Sequence, residues 1–507
     1  MDKYYSSTVA SWYAGKNIFI TGATGFMGKV LVEKLLRCCP QVQSIYILLR
    51  NKHGYDHIQR LETLLNFPIF ANIRESDPNQ LTKIVPLAGD VSLPNLGLSK
   101  EDADTLRKNV TVVFHCAANV RFDQKLANAI NFNTGGTHRV LQLVDTFKQI
   151  HAFIHVSTAY CHCDIDELEE IEYPTPHPPE GVIDMCAWMP QQALEKITPI
   201  LLDSQPNTYA YSKCLSEGFV SQYSCKFPVA IVRPSIVTAA WNEPLPGWID
   251  NLNGPTGLLV GAGKGVIRSM HCNENYNADI MPVDIAINAV IVSAWHVGIT
   301  RPNKAFVCNV TSSSDNPITW GQCLDMGRKH LYNHPFSVCL WYPDGSIKKN
   351  KFYHMLCVVF FHLIPAYFID GLLLLLRKKP FMVRVQERIQ GGLDVLQYYT
   401  TKQWKFSNKN FKMLNNLLIK EDKTVFNMNC MEIDWDLYTL KYVLGAREYC
   451  VKESPETLPQ ARKLLKRLYY LDRITNVCFI VFLMWIVYSC FGPLLSTIDY
   501  GFKSIIG

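Results

Sequence analysis

Between the apolar run Asn17–Thr21 and the helix-like run Phe26–Arg37 stands the loop Thr-Gly-Ala-Thr-Gly-Phe-Met-Gly, residues 21–28. Few backbones place three glycines at this spacing between a strand and a helix. Gly22 permits a tight turn, Gly25 lets the backbone approach a pyrophosphate, and Gly28 lets the helix pack close to the strand. The helix start adds free N–H groups and a partial positive charge, both suited to phosphate. Thr21, Gly22, Thr24, Gly25, Phe26, Met27 and Gly28 are therefore expected to cradle a dinucleotide.

Short apolar runs recur at Ile45–Leu49, Ile84–Ala88, Val112–Cys116, Phe153–Ser157 and Ala230–Val232, with helix-like stretches between them. Parallel crossovers need such intervals, so the pattern predicts an α/β fold built on a doubly wound parallel Rossmann sheet. The second run ends Leu48-Leu49-Arg50-Asn51-Lys52, with no acid to receive a ribose 2′-hydroxyl. A guanidinium there suits a 2′-phosphate, which makes NADPH the expected cofactor and Arg50 its reader. After the third run, Asp90 is placed to accept from the adenine amino group, with Val91 beside it. The small residues Cys116, Ala117 and Ala118 leave room for a ribose after the fourth. Pro234 and Ile236, in Arg233–Val237, are expected to shape a loop beside the nicotinamide.

Tyr209 and Lys213 are four residues apart, hence on one face of a helix. A lysine so placed lowers the tyrosine pKa and reaches the nicotinamide ribose, and the tyrosine donates a proton to a carbonyl that gains hydride. Thr158, with Ser157 next to it, ends the fifth run and supplies a hydroxyl to orient that carbonyl. The order of glycine loop, hydroxyl and Tyr/Lys pair gives the assignment its weight, because the pair alone is common by chance. Tyr211 has no lysine four residues on and is assigned to packing. Cys161-His162-Cys163 lacks a second cluster with ligand spacing, so no metal site is expected.

The 507 residues suffice for several domains, and a net charge of +6 is too mild to point to nucleic acid. Seventeen scattered cysteines read as reduced thiols in domains facing the cytosol. No secretory signal is read at the start. The expected division is a reductase domain over 1–350 with an acidic, proline-rich insertion at about 164–207, a helical domain over 351–460, and a membrane anchor at 474–495. Trp241–Gly263 reads as a long shaped loop. Ile474–Leu495 is 22 residues without a charge, long enough to cross a bilayer. Arg462, Lys463, Lys466, Arg467 and Arg473 precede it and only Asp499 and Lys503 follow, which puts the large part on the cytosolic side. Leu356–Leu376 is also strongly apolar. It reads as a second span, or as a helical hairpin packed in the domain or lying on the membrane face.

In sequence the chain resembles the extended short-chain dehydrogenases, and over nearly its whole length the eukaryotic alcohol-forming fatty acyl-CoA reductases. The resemblance is carried by GKNIFITGATGFMGKVLVEKLLR, VVFHCAANVRFD, FIHVSTAY, NTYAYSKCLSE, VAIVRPSIV, EPLPGWIDNLNGPTGL, GKGVIRSM and EIDWDLYTLKYVLGAREYCVKE. It implies a long-chain acyl-CoA substrate, reduced twice by NADPH through a held aldehyde to a primary alcohol for ether-lipid, wax or cuticular lipid. It also implies an acyl tunnel lined by the 164–207 insertion, the Trp241–Gly263 loop and the C-terminal domain. Peroxisomal and endoplasmic-reticulum membranes both fit the anchor. The fold motifs alone leave a membrane-bound hydroxysteroid dehydrogenase or a sugar-nucleotide epimerase open, and oligomeric state is not legible.

Overall fold

The computed structural model describes residues 7–52 and 54–506, with side-chain surroundings described as far as Ser489. Seven strands form the main sheet: β1 (Asn17–Thr21), β2 (Ser44–Leu49), β3 (Ile84–Ala88), β4 (Val112–His115), β5 (Ala152–Val156), β6 (Val229–Pro234) and β7 (Phe306–Val310). All pairings are parallel, and the spatial order is β3-β2-β1-β4-β5-β6-β7. Ile18 lies opposite Ile45 on one side and Val112 on the other. The strand order reverses between β1 and β4, and in such sheets ligands bind outside the strand ends at the reversal. The glycine loop leaves β1 at that point.

Alternation along β1 explains the layering. Ile18 and Ile20 face one apolar layer and Phe19 the other, and all three are fully buried. Each such side chain contributes roughly 1.5–3 kcal/mol relative to exposure. The strand β7 was not foreseen. Its five residues follow a helix with no polar face, so neither periodicity marks the change.

The helices that matter for the site are α1 (Phe26–Cys38), α2 (Thr208–Tyr223), α3 (Pro255–Gly263), α4 (Val283–Thr300), α5 (Trp320–Asn333), α6 (Lys351–Leu375), α7 (Met382–Thr400), α8 (Trp435–Gly445) and α9 (Leu458–Ile506). Two expectations are corrected here. The loop expected over Trp241–Gly263 ends in α3, because Pro255 sits in the first helical turn, where its missing N–H is no loss. The hairpin expected within Leu356–Leu376 is one helix, α6, whose direction survives a π turn at Val359–Leu363. Pro365 falls in the turn just after it.

The rest of the Trp241–Pro255 loop clamps α1. Trp248 stacks on Phe26 at 5.4 Å, Asp250 pairs with Lys29 at 2.6 Å, and Glu243 receives both Lys34 and Arg37. These partners, with Arg37 held on Glu33, explain why α1 buries Lys29, Glu33 and Lys34. One apolar cluster runs from Ile18 and Ile20 to Phe411, Phe426 and Tyr438, so the C-terminal helices and the sheet share a core. α9 is 49 residues long, and only 6% of its most apolar stretch is buried. Asp499 and Lys503, used above to orient the anchor, have side chains outside the described residues.

Candidate active site

The glycine cradle is built by contact. Gly22 has φ +78°, and a Cβ there would lie 2.7 Å from the Ala117 nitrogen. A Cβ on Gly28 would lie 2.2 Å from the Gly22 oxygen. Cys116 and Ala117 thus press directly on the turn, and any side chain at Gly22 would drive them apart. Gly25 caps α1 without a side-chain hydrogen bond and is exposed, which leaves the first N–H groups of the helix facing outward.

Thr21 fixes the turn from beneath. Its Oγ1 accepts from the Ala117 N–H (3.3 Å) and lies 2.7 Å from His115 Nδ1. His115 Nε2 lies 3.0 Å from Thr137 Oγ1, which donates to the Asn133 carbonyl. Only one arrangement satisfies this chain: Thr21 donates to Nδ1 and Nε2–H donates to Thr137. Burial, with Lys213 nearby, pushes His115 down to about 3, so the ring stays neutral. Asn133 Oδ1 accepts from Asn119 N–H, and its Nδ2 reaches Ser212 on α2. The sequence reading missed both His115 and Asn133. For His115 the signal available was a polar residue at the end of an apolar strand.

At the adenosine end, Arg50 is half-exposed with its guanidinium 3.8 Å from Asp90, so these two expected residues meet each other. Asp90 also accepts from the N–H and hydroxyl of Ser92, and Val91 offers its carbonyl to Arg139. A second arginine was missed. Arg60 donates to the Arg50 carbonyl (2.5 Å) and to Thr24 Oγ1 (3.1 Å), which places a second guanidinium beside the cradle. It lies in a helix too far along the chain for a strand-end rule to reach.

The expected catalytic pair, Tyr209 and Lys213, sits on α2, whose N-cap Asn207 accepts from the Ala210 N–H. Lys213 is buried, donates to the Val156 carbonyl (2.7 Å) and lies 3.3 Å from His155 Nε2. Burial lowers it to about 8, against the pull of Glu217 one turn on. Burial pushes the Tyr209 phenol up, with the Cys161 thiol adding to this. Thr158 Oγ1 accepts from the Tyr160 N–H, which leaves its own hydrogen free to donate. The Ser157 hydroxyl is buried without a hydrogen-bond partner. Pro234 closes β6, where its carbonyl accepts from Ala159, and Ile236 follows on the short strand Ile236–Thr238. Tyr211 is fully buried and bonds His177, which fits packing.

Cys161 and His162 gather with Glu217, all three buried, while Cys163 turns to the Tyr160 carbonyl. Both Glu217 oxygens are taken by Arg233, at 3.0 and 2.6 Å. Burial works to raise Glu217, and Arg233 with His162 overrides it, holding the carboxyl well below the usual range. The cluster is therefore an ion pair already neutralised by a guanidinium, a poor donor set for a cation.

Aromatic side chains from distant segments surround Tyr209. Phe122 lies 5.4 Å from it and 5.6 Å from Tyr399 of α7, and Tyr160 packs edge-on against Tyr399 and Trp404. An apolar cavity of about 160 Å³ is walled by α3, α5 and α8. Its lining includes Leu259, Gly327, Trp435 and Tyr438, and Ile280, which pairs with Ile236. Among the described residues no part of the 164–207 insertion lines it.

Two family models described as Male sterility protein match the chain, an NAD-binding one over residues 20–290 and a second over 361–453. Fatty acyl-CoA reductase 1 of Xenopus laevis is 38% identical over 493 residues, covering 97% of this chain and 96% of that protein. Fatty acyl-CoA reductase 2 of Bos taurus is 37% identical over 473 residues, covering 93% and 91%. Among solved structures, the terminal R domain from the myxalamid biosynthetic pathway aligns with TM-score 0.55 at 20% identity, over 85% of this chain and 90% of that one. The reductase domain of a non-ribosomal peptide synthetase from Mycobacterium tuberculosis aligns with TM-score 0.56 at 16% identity, over 88% and 96%. These two likenesses are of fold.

Proposed function

Because the chain belongs to the fatty acyl-CoA reductase family, we propose that it reduces a long-chain acyl-CoA to the primary alcohol, with NADPH as reductant. The chain is an oxidoreductase with an NAD(P)-binding domain and a candidate transmembrane helix at its C-terminal end. Two NADPH and two protons convert one acyl-CoA to one alcohol, free CoA thiol and two NADP+. The cofactor, when bound, supplies the hydride for each half.

The residues fit a dinucleotide. Gly22 and Gly28 have no space for a Cβ, α1 presents uncapped N–H groups, and Arg60, bonded to Thr24 and to the Arg50 carbonyl, stands where a 2′-phosphate would be read. The remaining chemistry belongs to the chain. Thr158 donates its free hydroxyl hydrogen to the thioester carbonyl, with Ser157 as the neighbouring hydroxyl. Tyr209 protonates the oxygen as it gains electron density. Lys213 holds its charge beside it and reaches the ribose. Collapse of the hemithioacetal breaks the C–S bond and releases thiol, and the aldehyde passes through the same polarising pair a second time. The apolar cavity behind Ile280 accommodates the acyl chain, and the aromatic shell around Tyr209 keeps water away. The α9 anchor holds this machinery on the cytosolic face of a peroxisomal or endoplasmic-reticulum membrane.

The observation that supports the reading is the buried Lys213, one helical turn from Tyr209 and bonded to the Val156 carbonyl just before Ser157 and Thr158, in a chain 38% identical to a named acyl-CoA reductase. Detergent-purified full-length protein, given NADPH and a ladder of saturated acyl-CoAs, is expected to yield alcohols by gas chromatography. Cofactor binding with neither alcohol nor aldehyde formed would sink it.

A further inference from the structure

Polarity along α6 is inverted. Its polar side chains point into the protein: His354 Nδ1 lies 2.8 Å from Ser269 Oγ, and His362 Nε2 accepts the Arg268 N–H at 2.9 Å. Asp370 accepts the N–H groups of Phe381, Met382 and Val383. All three are buried. The outward face holds Phe352, Tyr367, Phe368, Leu374, Leu375 and, one residue past the helix, Leu376, each at least 60% exposed. Only 22% of the helix's most apolar stretch is buried. Water-facing helices show the reverse arrangement, and contiguous apolar surface on this scale marks an interface with an apolar partner.

Three features identify the partner. The helix is flanked by exposed cations, Lys349 before it, Lys351 as its first residue, and Arg377, Lys378 and Lys379 after it. Cations at the ends of an apolar helix suit anionic headgroups and would repel the same ends of a second copy. Arg268 also links the helix to the place where α9 turns apolar. Arg268 lies 5.0 Å from the Phe361 ring and 3.4 Å from Asp472, which also accepts from Trp341 Nε1. Two residues later α9 begins its uncharged run at Ile474, itself 61% exposed. Finally, α6 is gripped along its length at His354, His362 and Asp370, so it lies along the protein body instead of standing apart as a span.

We infer that α6 embeds lengthwise in one leaflet of the membrane that α9 enters, so that the enzyme rests on the lipid through two elements. The arrangement bears on the substrate route. The strand Ser269–His271 is held by His354 on one side, and its Ser269 and Met270 line the apolar cavity. Acyl chains dissolved in that leaflet therefore lie just behind the wall of the cavity proposed to receive them. The inference shares with the proposed function the reading of α9 as an anchor, and its substrate route rests on the cavity assigned there.

The test uses the full chain in phosphatidylcholine–phosphatidylserine vesicles with photoreactive benzoylphenylalanine at one position at a time. Phe368 is the site under test, Val477 of α9 is the reference for the anchor, and Trp188, 70% exposed on the 164–207 insertion, is the aqueous control. The expected result is a gain of lipid mass at Phe368 on irradiation, matching Val477 and absent at Trp188. Lipid adducts at Phe368 without any at Val477 would keep α6 in the lipid and overturn the part of the inference that puts α9 in the same membrane. Adducts to a second copy, or labelling no greater than at Trp188, overturn it whatever Val477 shows. The readout is mass, so it does not depend on reductase activity.

Discussion

The strands β1–β7 with α1–α4, and the helices α6–α9, differ in what they leave exposed. The first region encloses charge: Lys213, Glu217 and Arg233 are each at most 3% exposed, and each is given partners. The second displays apolar side chains, from Phe368 on α6 to Trp485 on α9. Enclosed charge raises the energetic stakes of every contact, because an unpaired ion in a low-dielectric interior is expensive. Displayed apolar surface has no partner within the chain and looks to one outside it. In the proposed function the first region carries the chemistry, and the second holds that chemistry at its substrate.

The largest expected effect tests whether the chemistry lies wholly in the first region. Tyr209→Phe removes the proposed proton donor and should lower kcat by roughly 10²–10⁴-fold. Its thermal unfolding should not move, since the phenol oxygen makes none of the hydrogen bonds that hold α2. A mutant with near-normal turnover would transfer the proton role elsewhere.

Next comes the enclosed charge itself. Arg233→Met leaves Glu217 buried without its bidentate partner and should destabilise the fold by about 3–5 kcal/mol, read by urea unfolding. Lys226→Met removes an exposed cation from Asp145 and should leave the midpoint in place. Equal effects of the two would dissolve the contrast between enclosed and exposed charge.

Arg60→Ala addresses cofactor choice. Losing a charged donor beside Thr24 should raise the KM for NADPH about tenfold or more, while the KM for NADH stays put. The same position shows what the sequence could and could not disclose. Arg50 was legible because a rule ties it to the end of β2. Arg60 was not, because its place depends on how the following helix folds back. The six strands found by alternation were legible for the same local reason, and β7 was lost because α4 before it is apolar on every side. Tyr399 and Trp404 reach the site from nearly 200 residues beyond Tyr209, and no spacing announces that.

The pH dependence follows from Lys213, lowered by burial to about 8 from 10.5. The ammonium is present below about 8, so kcat/KM should fall as pH rises through that value. Stability should move the other way. Between about 8 and 10.5 the unfolded chain binds more protons than the folded one at this group, so its burden on folding eases as pH rises. Activity and stability that decline together above pH 8 would show that Lys213 does not control the limb.

The smallest expected effect lies where the two regions join. Asn207 caps α2 through Oδ1 and donates from Nδ2 to the Tyr399 hydroxyl at 2.9 Å. A residue of α7 therefore steadies the cap of the helix that carries Tyr209. Tyr399→Phe keeps the ring against Phe122 and removes only that acceptor, so it should cost about 1 kcal/mol and lower kcat a few-fold. Asn207→Ala removes the cap as well, at a further ~1 kcal/mol. If the hydroxyl acts through the cap, the double mutant should be no worse than Asn207→Ala alone, because the two changes share one network. Strict additivity would mean that Tyr399 acts on the substrate pocket directly, and the C-terminal helices would then share in the chemistry as well as hold it in place.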